Sequence, residues 1–128
     1  MLPISPKFNE QQYKMLIHLN HKEFQYYSLN WSNQFIRYLT DSWKEIKVND
    51  IICFTSSNAN IMQCKVVSIE KSKSVRDLIK DSNYINLYPI SQNYQTTYHF
   101  IQNKLHKQSV PHELEEGINL GLFTIKII

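Results

Sequence analysis

The sequence predicts an α+β fold, a small mixed β-barrel with helices packed around it. Residues 43–79 carry a strand, a turn, a second strand and a helix in unbroken order. The first of these strands follows directly on the polar turn 47–50 and pairs tightly with the next, which favours a small barrel over an open sheet. No helix links two strands in a repeated pattern, so a doubly wound parallel sheet is not expected.

Length and composition predict one globular domain spanning residues 1–128. Hydrophobic residues make up 42% of the chain and aromatic residues 12%, which is enough for a packed core. Charged residues, at 20%, are too few for a disordered tail protein. The net charge of +3 permits contact with phosphates but is smaller than that of a dedicated electrostatic nucleic-acid binder.

The N-terminal sequence and the glycine content exclude several classes. The chain begins without a basic region followed by an apolar one, and its apolar runs are short, so we expect no signal peptide, no membrane span and an intracellular location, cytoplasmic or nuclear. The two glycines, Gly117 and Gly121, lie apart from any phosphate-binding fingerprint. No cofactor is expected.

The first twenty residues predict a short strand followed by a helix. Residues 2–5 fit a strand in which Pro3 is tolerated at an edge. Ser5 then serves as the N-cap of a helix, with Pro6 at its first position, and apolar residues return at helical spacing from residue 8 to residue 19. Asn20 ends this predicted helix.

The next two segments are predicted to be strands with unequal clarity. Residues 21–28 alternate, with Phe24 and Tyr26 on one face and Glu23 and Gln25 on the other. Residues 31–39 fit a short helix or a strand about equally well, and a strand is favoured for part of them.

The central hairpin pairs residues 51–54 with residues 62–69 through the loop 56–60. If that loop centres on its middle residues, Cys53 and Cys64 face each other directly. Two buried thiols are nevertheless favoured over a disulfide, because cross-strand bridges are strained and the expected compartment is reducing. The histidines have no ligand spacing with these cysteines, so no metal site is expected.

The remaining elements follow in order. Ser72 or Ser74 caps a helix that has Asp77 in its first turn. Residues 84–89 form an irregular apolar segment stopped by proline, and an apolar stripe predicts a helix over residues 94–107. A polar loop at 111–116 leads to a final strand at 120–128.

Several of these segments together resemble the ASCH domain family of the PUA-like β-barrel superfamily. Residues 22–27 lie where the family carries a Lys-x-x-Glu/Thr-x-Arg strand, and Lys-Val-Asn-Asp at 47–50 is similar to its Lys-Val-Gly-Asp turn. Val-Arg-Asp-Leu-Ile at 75–79 is similar to its Phe-Arg-Asp-Leu-Leu helix, and residues 121–127 resemble its closing strand. The resemblance runs along the whole chain.

The resemblance implies a cleft beside the motif strand that binds RNA or a modified nucleoside. Members similar to bacterial acetylcytidine amidohydrolases cleave an amide there with a lysine, a threonine and a glutamate. Lys22 matches the lysine, but Gln25 stands at the Glu/Thr position and Tyr27 at the arginine position. Glutamine can hydrogen-bond a base edge but cannot take a proton, and tyrosine can stack but carries no charge. The motif therefore keeps a binding character and loses its acid–base character.

The candidate site residues form two groups. Strict strand alternation places Lys22 opposite Gln25 and Tyr27, so one cleft requires Lys22 at the start of the strand. Lys22 is also the candidate catalytic residue. Trp31 and Lys47 are expected to border the cleft, although tryptophans are more often core residues and lysines more often solvated. A basic patch that could receive phosphates comprises Lys65, Lys71, Lys73 and Arg76.

Three functions remain open. The first is a domain that binds RNA or a modified nucleotide, with reduced or no catalysis. The second is an amidohydrolase or ribonuclease that uses Lys22 with an acid the sequence does not align. The third is a protein-interaction module that presents an aromatic surface to a partner. The predicted partners are therefore RNA or a modified nucleotide, or a protein, and no membrane.

Overall fold

The computed structural model describes residues 13–57, 59–108 and 118–128, which form a curled half-barrel sheet with helices packed around it. The α+β fold predicted from the sequence is confirmed. The strands are β1 (Met15–Leu19), β2 (Gln34–Tyr38), β3 (Ile51–Ser56), β4 (Ile61–Ser72) and β5 (Leu120–Ile127). The helices are α1 (His21–Ser28), α2 (Val75–Leu78), α3 (Tyr84–Leu87) and α4 (Tyr94–Lys107), with a 3₁₀ turn at Asp41–Glu45.

The sheet has the strand order β1-β3-β4-β5-β2. β1 and β3 run parallel, whereas the β3–β4, β4–β5 and β5–β2 pairs are antiparallel. The sheet is therefore mixed, as predicted. Among the described residues β1 and β2 are its two edges, and the aromatic face of α1 packs into the inner core near them.

The helix predicted for residues 8–19 is wrong in its described part, because residues 15–19 form β1. Met15, Ile17 and Leu19 point inward and are partly buried, while the residues between them are exposed. The side chains thus alternate with a period of two residues, as in a strand. Leu16 and Leu19 are three residues apart, a spacing that is also typical of a helix. The strand predicted at 2–5 and the Ser5 cap lie outside the described residues.

The strand predicted for residues 21–28 is also wrong, because these residues form α1. Asn20 begins this helix, since its side chain accepts a hydrogen bond from the backbone N–H of Glu23 at 2.8 Å. The helix closes with Asn30 at a φ of 61°, and the Trp31 N–H donates to the Tyr26 carbonyl at 2.8 Å. A left-handed asparagine after the last turn is a common helix stop.

The other predicted elements largely agree with the structure. A strand at 34–38, the β3–β4 hairpin, a capped helix at 75–78, the long helix 94–107 and the final strand are all present. Ser74 is the cap of α2, since its hydroxyl accepts from the Arg76 N–H at 3.2 Å. The segment predicted to be irregular at 84–89 contains the short helix α3. The loop predicted at 111–116 lies outside the described residues.

The turn before β3 is built as the sequence predicts. The Asp50 carboxylate accepts from the Lys47 N–H at 2.8 Å, and the Asp50 N–H donates to the Lys47 carbonyl at 3.0 Å. Asn49 has a φ of 81°, a conformation that asparagine tolerates better than most residues. The asparagine therefore replaces the glycine of the related turn at a small cost.

The two cysteines are buried free thiols, but they do not face each other as predicted. Cys64 pairs with Ile52, and Cys53 pairs with Gln63. Because neighbouring residues of a strand point to opposite faces, this one-residue offset places the two side chains on opposite sides of the sheet.

The sheet separates two hydrophobic clusters. The inner cluster lies on the concave face and contains Phe35, Phe54 and Phe123 together with Phe24 of α1. The outer cluster lies between the other face and the helices α2, α3 and α4. β2 contributes Phe35 to the first cluster and Ile36 to the second. Both faces of this edge strand are therefore covered.

Candidate ligand-binding site

The strand that follows the first helix is β2, and it changes the placement of the family motif. The expected order of strand, helix and strand is formed by β1, α1 and β2. When the Lys-x-x-Glu/Thr-x-Arg spacing is laid on β2 so that it ends at Arg37, Ser32 takes the lysine position and Phe35 the Glu/Thr position. The arginine of the motif is then retained, whereas its lysine and acid are not.

The motif residues predicted from the sequence do not converge. Lys22 and Gln25 lie one turn apart on α1, and both are exposed to solvent. Tyr27 points the other way, and its ring lies 4.9 Å from that of Phe54 in the inner core. In a helix, residues three apart share a face, as Lys22 and Gln25 do. Tyr27 follows Lys22 by five residues and therefore lies on another face.

A small closed cavity lies where α1, β2, α3 and α4 meet. Its volume is about 20 Å³, which holds roughly one water molecule and no nucleobase. Both polar and aromatic side chains surround it. The lining residues are Leu19, Glu23, Tyr26, Tyr27, Ser32, Phe35, Arg37, Leu87, Phe100, Ile101 and Lys104.

Glu23 and Lys104 form an ion pair at this cavity. The glutamate side chain is 11% exposed and the lysine side chain 28% exposed. The Lys104 ammonium also lies 5.7 Å from the centre of the Phe100 ring, which stacks on Tyr88 at 4.0 Å. The pair therefore ties α1 to α4 in a partly desolvated setting, where it is screened less than a surface pair.

Tyr27 and Ser32 supply two hydroxyl groups beside the ion pair, and both are engaged. Burial raises the pKa of Tyr27 to about 12, and the nearby Arg37 charge and a hydrogen bond with Ser32 offset only part of this effect. The Tyr27 hydroxyl donates to the Gln34 carbonyl at 3.3 Å, and the Ser32 hydroxyl donates to the Asn86 carbonyl at 2.7 Å. These groups hold the cavity wall in place.

Arg37 is the distinctive charge of the site. Its guanidinium carbon lies 5.2 Å from the centre of the Phe35 ring and 5.6 Å from that of Trp43, and one terminal nitrogen donates to the Ile36 carbonyl at 2.9 Å. No carboxylate of the described residues forms an ion pair with it. Burial lowers the pKa of Arg37, although the group stays charged. The charge of Glu23, which lines the same cavity, acts on Arg37 without a direct ion pair, so the guanidinium keeps donors that can receive an anion.

Beyond Trp43 the same face opens into a basic groove of about 350 Å³. It brings Lys47 and Lys71, which the sequence assigns to separate groups, together with Lys44 and Trp43. We call this feature the lysine groove. Its lining residues are Leu39, Trp43, Lys44, Ile46, Lys47, Val48, Ile69, Lys71 and Asn119.

The rest of the predicted basic patch is dispersed. Lys73 and Arg76 line a different groove, where the Arg76 guanidinium lies 4.7 Å from the Tyr98 ring centre. Lys65 is exposed opposite Lys126 of β5. Trp31 is 57% exposed and follows the end of α1, directly before Ser32 of the cavity.

Three residues of the cavity were missed by the sequence reasoning, namely Glu23, Arg37 and Lys104. The pattern Asn20-x-x-Glu23 is a helix-start signature that identifies α1 and moves the motif strand to β2. Lys104 lies on α4 beside the apolar stripe that ends at Leu105, and no local pattern marks it. Among the described residues, no three potential ligands of the His, Cys, Asp or Glu type cluster as a metal site would require. Of the described helices, none has the length and apolar character to cross a membrane.

No protein-family model matches the sequence, and no curated protein matches it. Solved structures do match. The crystal structure of hypothetical protein PH0355 is similar with a TM-score of 0.67 and 17% identity over 89% of this chain and 98% of that one. The solution structure of protein PF0455 from Pyrococcus furiosus has a TM-score of 0.63 and 12% identity, covering 89% of this chain and 96% of that one.

The third similar structure is an ASCH domain from Lactobacillus crispatus JV V101. It has a TM-score of 0.57 and 10% identity, and the match covers 91% of this chain and 82% of that domain. At these identities the likeness establishes the fold. The chain therefore has a fold similar to that of an ASCH domain, as its sequence resemblance predicts.

Proposed function

We propose that the protein binds RNA or a modified nucleotide on the concave side of β2, with Arg37 as the anion contact. The observation that carries the proposal is the guanidinium of Arg37, which lies over the rings of Phe35 and Trp43 and forms no ion pair with a carboxylate of the described residues. A phosphate can accept two hydrogen bonds from such a group. The proposal replaces the cleft around Lys22, Gln25 and Tyr27, because these residues point in different directions.

The base of the ligand has to lie outside the closed cavity, which has room for a water molecule only. Trp43 is the aromatic residue beside Arg37 that reaches the surface, since it is partly exposed and lines the lysine groove. Stacking of a base on a tryptophan contributes about 1–3 kcal/mol and tolerates any base. The expected contact is thus a phosphate at Arg37 and a base at Trp43.

Titration of the protein with nucleoside monophosphates and with unstructured RNA tests this proposal. Arg37→Met is expected to weaken binding about tenfold to a hundredfold, since a hydrogen bond to a charged group contributes about 1.5–3 kcal/mol. Arg76→Met is the matched control, because Arg76 also lies on an aromatic ring but in another groove. Absence of binding to any nucleotide, or equal binding by the Arg37 variant and the wild type, refutes the proposal.

The ion pair in the cavity favours a hydrolase as the second candidate function. A carboxylate and an ammonium face each other there in a partly desolvated environment. Such a pair can transfer protons to and from an amide or phosphodiester. Turnover of acetylcytidine or of unstructured RNA, lost in both Glu23→Gln and Lys104→Met, decides for it. Lys22→Ala is the control, because Lys22 is exposed and lies outside the cavity lining.

The protein-interaction function rests on the exposed apolar residues at the end of α1. Leu29 is 53% exposed and Trp31 57% exposed. Exposed large apolar side chains such as these are candidates for contact with a partner protein. A monodisperse monomer whose elution is unchanged by Trp31→Ser argues against this function.

A further inference from the structure

We infer that a single-stranded nucleic acid follows one path across the protein, from Arg37 past Trp43 and Leu39 to Lys71 and out between Lys44 and Lys47. This inference rests on the proposed function and deepens it. It assigns the ligand class as an extended single strand, in contrast to a free nucleotide that contacts Arg37 and Trp43 only.

The path begins with a row of residues in register across three strands. Arg37 of β2 pairs with Gly121 of β5, and Gly121 pairs with Lys71 of β4. Residues in direct register point to the same face, so both cations stand on the concave side, separated by two strand spacings or about 10 Å. They are thus placed to contact different phosphates of one chain.

Gly121, which stands between the two cations, is buried beneath the side chain of Leu39. A Cβ atom at this position would lie 2.7 Å from Leu39 Cδ2 and 3.0 Å from Phe123 Cε1. The Leu39 side chain therefore fills the space above Gly121, and it also lines the lysine groove. It forms the floor of the path between Arg37 and Lys71.

The charge along the path is positive. Lys44, Lys47 and Lys71 are exposed, and among the residues that the structure describes no acidic side chain lines the lysine groove. The ion pairs of the described part of the chain, Lys80 with Glu70 and Lys104 with Glu23, lie elsewhere. Glu45 follows Lys44 but lines a neighbouring groove. Asp50 lies beside Lys47, but its carboxylate accepts from the backbone N–H of the turn, so the ammonium groups of the groove lysines remain to contact the phosphates of a strand.

Trp43 joins the two parts of the path. Its ring packs on Phe35 at 5.6 Å and on Phe123 at 5.3 Å, which fixes its orientation, and Arg37 lies over it. The rest of the tryptophan borders the lysine groove. Lysines that track a backbone around an anchored aromatic residue are typical of sites for single strands, where base stacking supplements the phosphate contacts.

The test compares two double variants that each remove two positive charges. Lys47→Ala with Lys71→Ala removes the lysine groove, whereas Lys65→Ala with Lys126→Ala removes an exposed cross-strand pair elsewhere on the sheet. Binding of a labelled ten-nucleotide oligouridine is measured by fluorescence anisotropy over a range of salt concentrations. The groove variant is expected to bind at least tenfold more weakly. The slope of its log K against log salt concentration is expected to be about 1.4 smaller in magnitude, at about 0.7 for each lost phosphate contact.

The remaining outcomes separate this inference from the proposed function. Uridine monophosphate is expected to bind both double variants as it binds the wild type, because both variants retain its contacts, Arg37 and Trp43. The path is refuted if the two double variants lose oligouridine binding equally or if the groove variant loses none. It is also refuted if an RNA duplex of the same length binds more tightly than the single strand. Failure of the wild type to bind either ligand refutes the proposed function itself.

Discussion

Neutralising Glu23 is expected to reduce stability and to strengthen anion binding at the same time. Glu23→Gln removes the charge of the Lys104 pair and keeps the size of the side chain. The Asn20 cap is retained, because it involves the backbone N–H of residue 23. The change therefore isolates the electrostatic contribution of the pair.

The exposure of the two side chains sets the expected loss of stability. Exposed ion pairs contribute about 0.2–1 kcal/mol, whereas removing one partner of a fully buried pair costs about 3–5 kcal/mol. Here the carboxylate is 11% exposed and the ammonium 28% exposed, so solvent screens the lysine end. We expect the free energy of unfolding to fall by about 1.5–2.5 kcal/mol, midway between these limits.

Urea unfolding followed by tryptophan fluorescence measures this change, and a double-mutant cycle with Lys104→Met isolates the pair. A coupling energy of about 1 kcal/mol or more is expected for two charges in direct contact. With Glu23 neutral, Arg37 and Lys104 remain as cations at the cavity, so uridine monophosphate is expected to bind Glu23→Gln more tightly. A coupling energy near zero, or weaker nucleotide binding by the variant, refutes the reasoning.

Three further predictions concern individual residues. Asn20→Ala is expected to lower the free energy of unfolding by about 1 kcal/mol in urea titrations, because the Glu23 N–H loses its cap, whereas Asn20→Asp is expected to be nearly neutral. Burial raises the pKa of the Cys64 thiol to about 12, so the folded state keeps a proton that the unfolded state, with a pKa near 8.5, releases. Stability is therefore expected to fall as the pH rises above about 8.5, by about 2 kcal/mol at pH 10, and a Cys64→Ala variant that shows the same loss would contradict this. Gly121→Ala is expected to cost about 1–3 kcal/mol through its clash with Leu39, and part of this cost should be recovered in the double variant with Leu39→Val; no recovery in thermal melts would exclude the clash as the cause.

The parts of the fold that the sequence predicts are those in which local patterns and tertiary packing agree. The β3–β4 hairpin, the stripe of α4 and the alternation of β5 each bury the face that their period indicates. The turn at Asp50 was predictable because its side chain caps the turn that precedes β3.

The region before β2 was mispredicted because two periods compete in it. The sequence from Met15 to Leu19 contains both an alternating set and a pair at helical spacing, and pairing with β3 decides between them. Asn20 was interpreted as a helix stop, although an asparagine three residues before a glutamate also starts helices. One misinterpreted cap therefore exchanged a strand and a helix, and the residues assigned to the motif strand lie on α1.

The candidate site could be predicted from the sequence only in part. Lys47 and Lys71 were identified as cations, but their common groove depends on the register of β4 and β5 and on the position of the 3₁₀ turn. The contact between Glu23 and Lys104 joins helices that are far apart in sequence, so no local pattern encodes it.

The two-sided packing of β5 has a consequence for how the protein unfolds. Phe123 and Ile125 belong to the inner cluster, whereas Leu120 and Leu122 belong to the outer cluster. These side chains alternate on one strand that hydrogen-bonds to β4 on one side and to β2 on the other. Neither cluster can open without loosening the backbone that supports its counterpart, so the helices and the barrel are expected to unfold as one cooperative unit.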